Sequence, residues 1–413
     1  VLHYAAFVMM DLDNLKRIND TFGHDLGDRY IQLAGHSLHE SLPEKSLCSR
    51  LSGDEFLILL YGFDTPEERS SCLTGLHATI QSYSAPLPNG GTMRISMSAG
   101  VARYPEDAGD PELLRKYADF SMYQVKHSHK GDMSLFRPDA FAQAAHADLL
   151  QREFMQLLQE GRVVYHFQPL FSVTDGHAAA YEALMRTTMP NLRSPADVMK
   201  LAQKTGMLYE VEHLTFFRAS EAFVRLQEEG LIAPDAKLFI NSISSVCLND
   251  ADHREFRRRF AALIPNLVVE ITEEEELNPD VLERKRQQMH GDGAFALDDY
   301  GSGYSNSNSL LELSPQYIKV DIAIIRDIDS DGDKQQVLRD ITAYAHQRGM
   351  QIVAEGIETP AELECVRALG ADLLQGYLLA RPNVIPAELS EEARAVLQRK
   401  ELPPDPPPHT SNR

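Results

Sequence analysis

The sequence predicts an α/β protein of two domains, an open ferredoxin-like palm joined by one helix to a (β/α)8 TIM-like barrel. Three observations carry this. The chain has 413 residues, too many for a single core at roughly 100–200 residues per domain. Its first part runs strand, helix, helix, strand, strand, helix, strand, helix, the order of a palm. Its last part alternates short apolar strands with helices, and most of those strands close on a polar residue, as barrel strands that carry a site at their C-terminal ends do.

The palm begins with Tyr4 to Asp13, a mostly apolar run closing on acid, and Asn14 to Phe22 follows with Leu15 and Ile18 at helical spacing. Gly23-His24-Asp25-Leu26-Gly27 breaks the pattern, so a second helix is expected from about Asp28 to Leu42, with Ile31, Leu33, Ala34 and Leu38 inward. Leu47 to Leu51 and Phe56 to Tyr61 read as two strands around the turn Ser52-Gly53-Asp54-Glu55. Pro66 opens a helix at its favoured first-turn position. Met93 to Val101 alternates as one strand, and Pro111 to Lys126 is again helical.

From Pro138 to Gly161 one amphipathic helix carries Phe141, Leu149, Phe154, Leu157 and Leu158 as its apolar stripe. The barrel strands are then Val163 to Phe171, Ala178 to Arg186, Lys237 to Asn241, Leu267 to Thr272, Ala294 to Asp299, Tyr317 to Asp321, Gln351 to Glu355 and Asp372 to Leu378. The expected domains are residues 1–137, a linker helix at 138–160 running into a barrel at 161–398, and a Pro-rich disordered tail at 399–413.

Forty basic against 61 acidic residues give a net charge of −21. Binding to duplex nucleic acid or to an anionic membrane surface is thereby disfavoured, because both need clustered positive charge. The four cysteines, Cys48, Cys72, Cys247 and Cys365, are scattered, which argues against a zinc site or a disulfide framework and for a cytoplasmic chain. No apolar run approaches the roughly 18 residues of a membrane helix. The chain starts at Val1 without an initiator Met or signal-peptide pattern, so it is expected to be a fragment whose missing upstream part, a sensor or membrane segment, would supply any membrane attachment.

Glu182, Asn241, Glu270, Asp298, Asp299, Lys319, Asp321, Glu355 and Gln375 stand at or near strand ends, positions that converge in a barrel. Any one of them could mark a strand emerging into solvent. The whole set, rich in oxygen donors, is what a pair of hard cations demands. Tyr181-Glu182-Ala183-Leu184-Met185-Arg186 resembles the defining motif of the EAL family of cyclic di-GMP phosphodiesterases. Glu270-Ile271-Thr272-Glu273, Asp298-Asp299-Tyr300-Gly301-Ser302-Gly303-Tyr304-Ser305, Ile318-Lys319-Val320-Asp321, Val353-Ala354-Glu355-Gly356-Ile357-Glu358-Thr359 and Gln375-Gly376-Tyr377 follow in the family's order.

The resemblance implies a two-metal site. Glu182, Asn241, Glu270 and Asp298 look like ligands of one Mg²⁺ or Mn²⁺, and Asp298, Asp299 and Glu355 like those shared with or belonging to a second. Lys319, Glu355 and Asp298 would be catalytic, with Lys319 beside the attacking water. Arg186, Gln375, Gln168 and Asp321 would contact substrate, and Glu358 would hold the loop from Gly301 to Ser305. Thr187 stands where the family commonly has Trp, and the Ser307-Asn308-Ser309 stretch is more polar than usual. The acidic run beyond Glu273 reads as a solvated face.

In the palm, Asp11-Leu12-Asp13, Ile18-Asn19-Asp20, Gly23-His24 with Gly27-Asp28, and Ser52-Gly53-Asp54-Glu55-Phe56 together resemble a GGDEF diguanylate cyclase domain, lacking the segment that precedes the first strand. That implies Mg²⁺ on Asp11 and Asp54, activation of a ribose hydroxyl by Glu55, guanine reading by Asn19 and Asp28, and triphosphate contacts from Lys126, Lys130 and Arg50. Lys130 stands where Arg is usual, which gives up bidentate phosphate contact. Ser52 replaces the Gly of the family name, and if that position needs φ > 0 the Ser costs about 1 kcal/mol. Pro43-Glu44-Lys45-Ser46 occupies the place of the family's R-x-x-D product-binding tetrapeptide and has neither its Arg nor its Asp.

The resemblances imply cyclic di-GMP turnover, with hydrolysis to linear pGpG in the barrel and a weak or regulatory GTP-binding cyclase before it, in a homodimer. Two other readings stay open, a non-catalytic cyclic di-GMP receptor and a cyclase-dominant bifunctional enzyme.

Overall fold

The computed structural model describes residues 3–86, 90–272, 278–289, 293–301 and 307–399, and the chain divides into two compact units at Asp148 and Leu149. The acidic run from Glu273 to Glu276, Ser302 to Ser305 of the Asp298 motif, and the tail from Leu402 lie outside the described residues.

In the first unit β1 (Tyr4–Leu12), α1 (Leu15–Phe22), α2 (His24–Ser41), β2 (Ser46–Ser52), β3 (Glu55–Phe63), α3 (Pro66–Ser82), β4 (Ser84–Pro86), β5 (Thr92–Arg94), β6 (Met97–Tyr104), α4 (Pro111–Ser128) and β7 (Met133–Leu135) follow in order. The sheet order is β2-β3-β1-β6-β7, with β1 central. Ala6, Val8 and Met10 enter one buried cluster from one face of β1, and Met9 enters another from the opposite face. This alternation follows from the period of two along a strand covered on both sides.

Two expectations are corrected here. The helix expected from Asp28 starts at His24, because Gly23 alone, at φ 88°, makes the break. The single strand expected over 93–101 is two, β5 and β6, parted at Ile95 and Ser96, where the Ser96 hydroxyl donates to Asp13 at 2.6 Å. Helix α5 (Pro138–Glu160) spans the predicted linker, and the boundary between units falls within it. Its start contributes Phe141 to an aromatic cluster with Tyr117, Phe120 and Phe136 of the first unit. Phe154 and Leu157 are buried in the second unit.

The second unit holds β8 (Val163–Ser172), β9 (Ala178–Thr187), α6 (Pro195–Thr205), α7 (Leu208–Glu228), β10 (Lys237–Asn241), α8 (Asp250–Phe260), β11 (Leu267–Thr272), α9 (Pro279–Met289), β12 (Ala294–Tyr300), α10 (Ser307–Leu313), β13 (Tyr317–Val320), α11 (Ile322–Ile325), α12 (Gly332–Gln347), β14 (Gln351–Ala354), α13 (Pro360–Ala368), β15 (Leu373–Leu374) and α14 (Glu391–Leu397). The strands close in the order β10-β11-β12-β13-β14-β15-β8-β9. The barrel is not all-parallel as expected. β8 is antiparallel to both β9 and β15, because only Val173 to His177 separates β8 from β9, enough for a hairpin and too little for a crossover helix. Of the strand expected over 372–378, only Leu373–Leu374 pairs. Among the described residues no helix is long and apolar enough to cross a membrane.

One buried cluster takes a single residue from every barrel strand: Leu170, Ala180, Phe239, Val268, Ala296, Tyr317, Val353 and Leu373. These fill the interior as a packed layer. Two residues further along each parallel strand, on the same face by the period of two, stand Glu182, Asn241, Glu270, Asp298, Lys319, Glu355 and Gln375. On the reversed β8 the relation inverts, and Gln168 stands two residues before Leu170.

Candidate active site

The polar ring above this layer is built around Lys319. Its Nζ lies 2.6 Å from Glu270 Oε1, 2.8 Å from Asp298 Oδ1, 2.8 Å from Glu355 Oε1 and 3.4 Å from Glu182 Oε2. Burial alone would push the ammonium down, but Asp298, Glu182, Glu270 and Glu355 reverse this and hold it well above the usual lysine value. The carboxylates respond differently. Burial works to raise Glu182, yet Lys319, Gln375 and Asn241 outweigh it and hold the group below the ordinary range. Burial and the charge of Glu182 push Glu270 well up. Burial, with Asp298 and Glu182 adding, lifts Glu355 to about 8 against the pull of Lys319. Asp299 rises to about 6 through burial and the adjacent Asp298 charge.

Consecutive residues on a regular strand point to opposite faces, so Asp298 and Asp299 need a local irregularity to act together. The register supplies it. Leu297 pairs with Ile318 and Tyr300 with Val320, so Asp298 and Asp299 of β12 together oppose Lys319 alone, the two-against-one count of a β-bulge. Asp299 takes φ 55°, a left-handed backbone that Asp tolerates better than most residues. Carboxylate oxygens of Asp298, Asp299 and Glu355 come within 4.8 Å of one another.

The ring opens into a cavity of about 340 Å³ walled by Gln168, Glu182, Asp298, Asp299, Lys319, Asp321, Glu355, Glu358, Gln375 and Tyr377 among others. Gln375 donates to Glu182 Oε2 at 2.7 Å, while Asn241 donates to Oε1 at 3.2 Å. Gln168 Nε2 is spent on the Ala380 carbonyl at 3.2 Å, and Asp321 caps α11 by accepting from the Ala323 N–H at 2.9 Å. Arg186 lines a neighbouring cavity of about 500 Å³ that also touches Asn241, and its Nη1 donates to the Met185 carbonyl at 2.8 Å. Glu358 accepts from Arg326, and the loop it was expected to hold continues outside the described residues. Thr187, in the usual Trp place, donates to the Leu192 carbonyl.

Tyr377 closes the last of the barrel motifs. Its ring is half-exposed on the cavity wall, with the Arg381 guanidinium 4.2 Å from the ring centroid. Gly376 before it is required by close approach, since a Cβ there would fall 2.1 Å from the Ile357 carbonyl oxygen.

In the first unit Asp11 pairs across β1 and β3 with Glu55, next to Asp54 of the turn. Burial lifts the Asp11 carboxyl to about 6, although Lys126 Nζ lies 2.6 Å away. A cavity of about 440 Å³ is lined by Asp11, Asp13, Asp20, Asp54, Lys126 and Lys130 among others. Asn19, Asp28 and Arg50 are not among its lining residues. Asn19 packs so closely on Gly27 that a Cβ there would lie 1.8 Å from Asn19 Oδ1, a buried atom with no hydrogen-bond partner among the described residues. Asp28 is exposed on α2, and Arg50 Nε donates to the Gly53 carbonyl at 2.9 Å.

The concern over Ser52 is resolved by the turn itself. Gly53, at φ 42°, takes the left-handed position, whereas Ser52 is not among the residues with positive φ, and its hydroxyl donates to Glu55 Oε2 at 3.1 Å. Asp13, which ends the Asp11-Leu12-Asp13 motif, is buried and accepts from Ser96 and Ser98 at 2.6 and 2.8 Å.

Residues 151–382 match the EAL domain family and residues 2–132 the diguanylate cyclase GGDEF domain family. The chain is 30% identical over 393 residues to the bifunctional diguanylate cyclase/cyclic di-GMP phosphodiesterase MucR of Pseudomonas aeruginosa, covering 93% of this chain and 56% of that protein. To the cyclic di-GMP phosphodiesterase NbdA of the same organism it is 29% identical over 403 residues, covering 94% and 50%. The chain thus spans about half the length of the curated relatives it matches. The solved PaMucR phosphodiesterase in complex with c-di-GMP is 27% identical, with a TM-score of 0.50, and covers 57% of this chain and 97% of that one. With the barrel, its ring of acids around Lys319 and the palm before it, these likenesses establish that the chain belongs to the EAL domain family and carries a GGDEF domain ahead of its EAL domain.

Proposed function

We propose that the second unit hydrolyses cyclic di-GMP to linear pGpG with the aid of two divalent cations, Mg²⁺ or Mn²⁺. The observation that carries this reading is the convergence of four carboxylates on Lys319 at the floor of a cavity. The donor set is suited to hard cations, being almost wholly oxygen. Both oxygens of Glu270 and Oδ1 of Asp298 are buried with no hydrogen-bond donor geometrically aligned on them, Lys319 being their only close cationic neighbour among the described residues. Burial and neighbouring negative charge make Glu270, Glu355 and Asp299 hard to ionise, and a cation beside them would favour their charged forms. Glu182, Asn241, Glu270 and Asp298 would hold one ion, and Asp298, Asp299 and Glu355 the other. When bound, such a pair lowers the pKa of a water and offsets charge at phosphorus.

The chain's own groups then divide the work. Asn241 and Gln375 fix the Glu182 carboxylate from its two sides. Lys319 Nζ donates a hydrogen bond to the attacking oxygen. That oxygen, from a water whose proton passes to solvent, bonds to phosphorus as the P–O3′ bond breaks, and O3′ takes a proton from solvent, which leaves linear pGpG with a 5′-phosphate and a free 3′-hydroxyl. Gln375 Oε1, buried with no hydrogen-bond partner among the described residues, would accept from a water or a sugar hydroxyl at the phosphate. Arg186, which lines the same cavity as Asn241, offers the charge that would meet the second phosphate of the ring.

For the first unit the supported reading is GTP binding with Mg²⁺ at Asp11 and Asp54, with Lys126 and Lys130 facing the phosphates. The unstrained Ser52 is compatible with a weak or regulatory cyclase, and any such activity would need a homodimer to bring two nucleotides together. The test is incubation of the chain with cyclic di-GMP and Mn²⁺ or Mg²⁺, with products resolved by chromatography. Formation of pGpG, lost on chelation, is expected, and cyclic di-GMP left intact with either metal would remove the reading.

A further inference from the structure

Behind Asn241 lies a buried charge pair that the reaction above does not use. Glu212 of α7 is 1% exposed, and Lys285 of α9 is 5% exposed, with Nζ 2.7 Å from Glu212 Oε1. The same Oε1 accepts from the Ser242 hydroxyl at 2.6 Å, and Oε2 accepts from the Ile243 N–H at 2.9 Å. Lys285 also donates to the Ser242 hydroxyl. One carboxylate therefore clamps the two residues that follow Asn241, while the Ser242 N–H continues the ladder to the Glu270 carbonyl at 3.0 Å.

We infer that the Glu212–Lys285 pair is a positioning device that sets Asn241, and through it Glu182, for cation binding. A merely structural tie between two helices would be served as well or better by apolar side chains, since the desolvation of buried ions generally offsets their attraction. Here, however, both carboxylate oxygens are directed at the segment carrying Asn241, and Lys285 supplies the charge that lets Glu212 stay buried there. Groups that orient metal ligands from behind in this way typically change metal affinity by roughly 10–100-fold when removed.

The inference rests on the cation reading of the ring, and the experiment keeps the two apart. Mn²⁺ binding to the full chain is measured by calorimetry for wild type, Glu212→Gln, Lys285→Met and the double variant Glu212→Leu/Lys285→Met, with kcat and KM for cyclic di-GMP taken at low and saturating Mn²⁺. The double variant replaces the pair by apolar side chains of similar volume and guards against misfolding from a single unpaired charge. Expected are Mn²⁺ affinities lowered by roughly 10–100-fold, kcat restored by saturating Mn²⁺, and KM unchanged. Folded variants with wild-type Mn²⁺ affinity would overturn the inference. A wild-type chain that binds Mn²⁺ but leaves cyclic di-GMP intact would remove the substrate reading alone, and the affinity comparison would still decide the role of the pair.

Discussion

The ammonium of Lys319 and the carboxylate of Glu270 sit 2.6 Å apart, each residue 1% exposed, at the centre of the barrel mouth. A charge buried among acids in this way does more than bind. Lys319→Ala should lower kcat for cyclic di-GMP by about 10²–10⁴, the usual range for a positioned acid–base group, with KM changed far less. Steady-state kinetics decide it, and a KM effect with kcat untouched would move Lys319 from chemistry to binding.

Loss of a carboxylate from the ring should act through the cations. Glu182→Ala or Asp298→Ala is expected to abolish both hydrolysis and tight Mn²⁺ binding, as chelation does for the unaltered chain. Retained turnover by Glu182→Ala in a metal-free buffer would refute the two-cation assignment.

GTP with Mg²⁺ should bind the palm through Asp11, Asn19, Asp28 and Asp54. Since Asn19 and Asp28 stand off the cavity at Asp11, the nucleotide is expected to reach from its phosphates in that cavity to its guanine at the α1–α2 junction. Calorimetry with GTP and ATP tests this, and equal binding of ATP would withdraw the base-reading roles.

Product should not be held at the palm. Lys45, the one cation of Pro43-Glu44-Lys45-Ser46, lies over Gly62, with Nζ 3.3 Å from its carbonyl oxygen, and offers no bidentate fork. Cyclic di-GMP should therefore bind only in the barrel, and a full-length Glu182→Ala/Asp298→Ala variant should lose tight binding. Undiminished tight binding by that variant would show a second site.

Arg69 is 2% exposed and meets Glu106 bidentately at 2.6 and 2.8 Å, besides the Tyr104 carbonyl at 2.9 Å. Arg69 holds the Glu106 carboxyl below the usual range, against a smaller effect of burial. A depressed folded value means the contribution is present above the ordinary carboxylate pKa and is lost as pH falls through the folded value. Glu106→Gln should cost about 1–3 kcal/mol in urea denaturation at neutral pH, shrinking toward zero in acid. A deficit constant down to acid pH would show that the pair's charge is irrelevant.

Much of this was legible in sequence because the barrel repeats one local rule. An apolar residue two positions before a polar one, as in Phe239 and Asn241 or Val268 and Glu270, marks an inward face crossing from core to mouth. Where the rule inverts, at Leu170 and Gln168, strand direction was misread, since hydrophobic alternation is the same in either direction. The joint action of Asp298 and Asp299 depends on a bulge, which is set by pairing with β13 and leaves no periodic trace. The serines that hold Asp13 and the Glu212–Lys285 pair were not legible for a related reason. Their partners lie on distant segments, and a single charged residue in an apolar helix or strand looks the same whether it reaches solvent or a buried partner.

The antiparallel placement of β8 also fixes the order in which the barrel can be completed during synthesis. The β8–β9 hairpin needs only residues adjacent in the chain, but its other edge waits for Leu373 and Leu374, about two hundred residues later, to pair with Ser172 and Phe171. Until then β8 is an open edge with unpaired backbone groups, able to recruit a strand from another chain. Gln168 and Gln375 flank that seam, so the hydrogen bond from Gln375 to Glu182 forms only once the last strand has emerged. A chain cut before Leu373 should thus present β8 as an unpaired edge, and its tendency to associate with other copies should exceed that of the uncut chain.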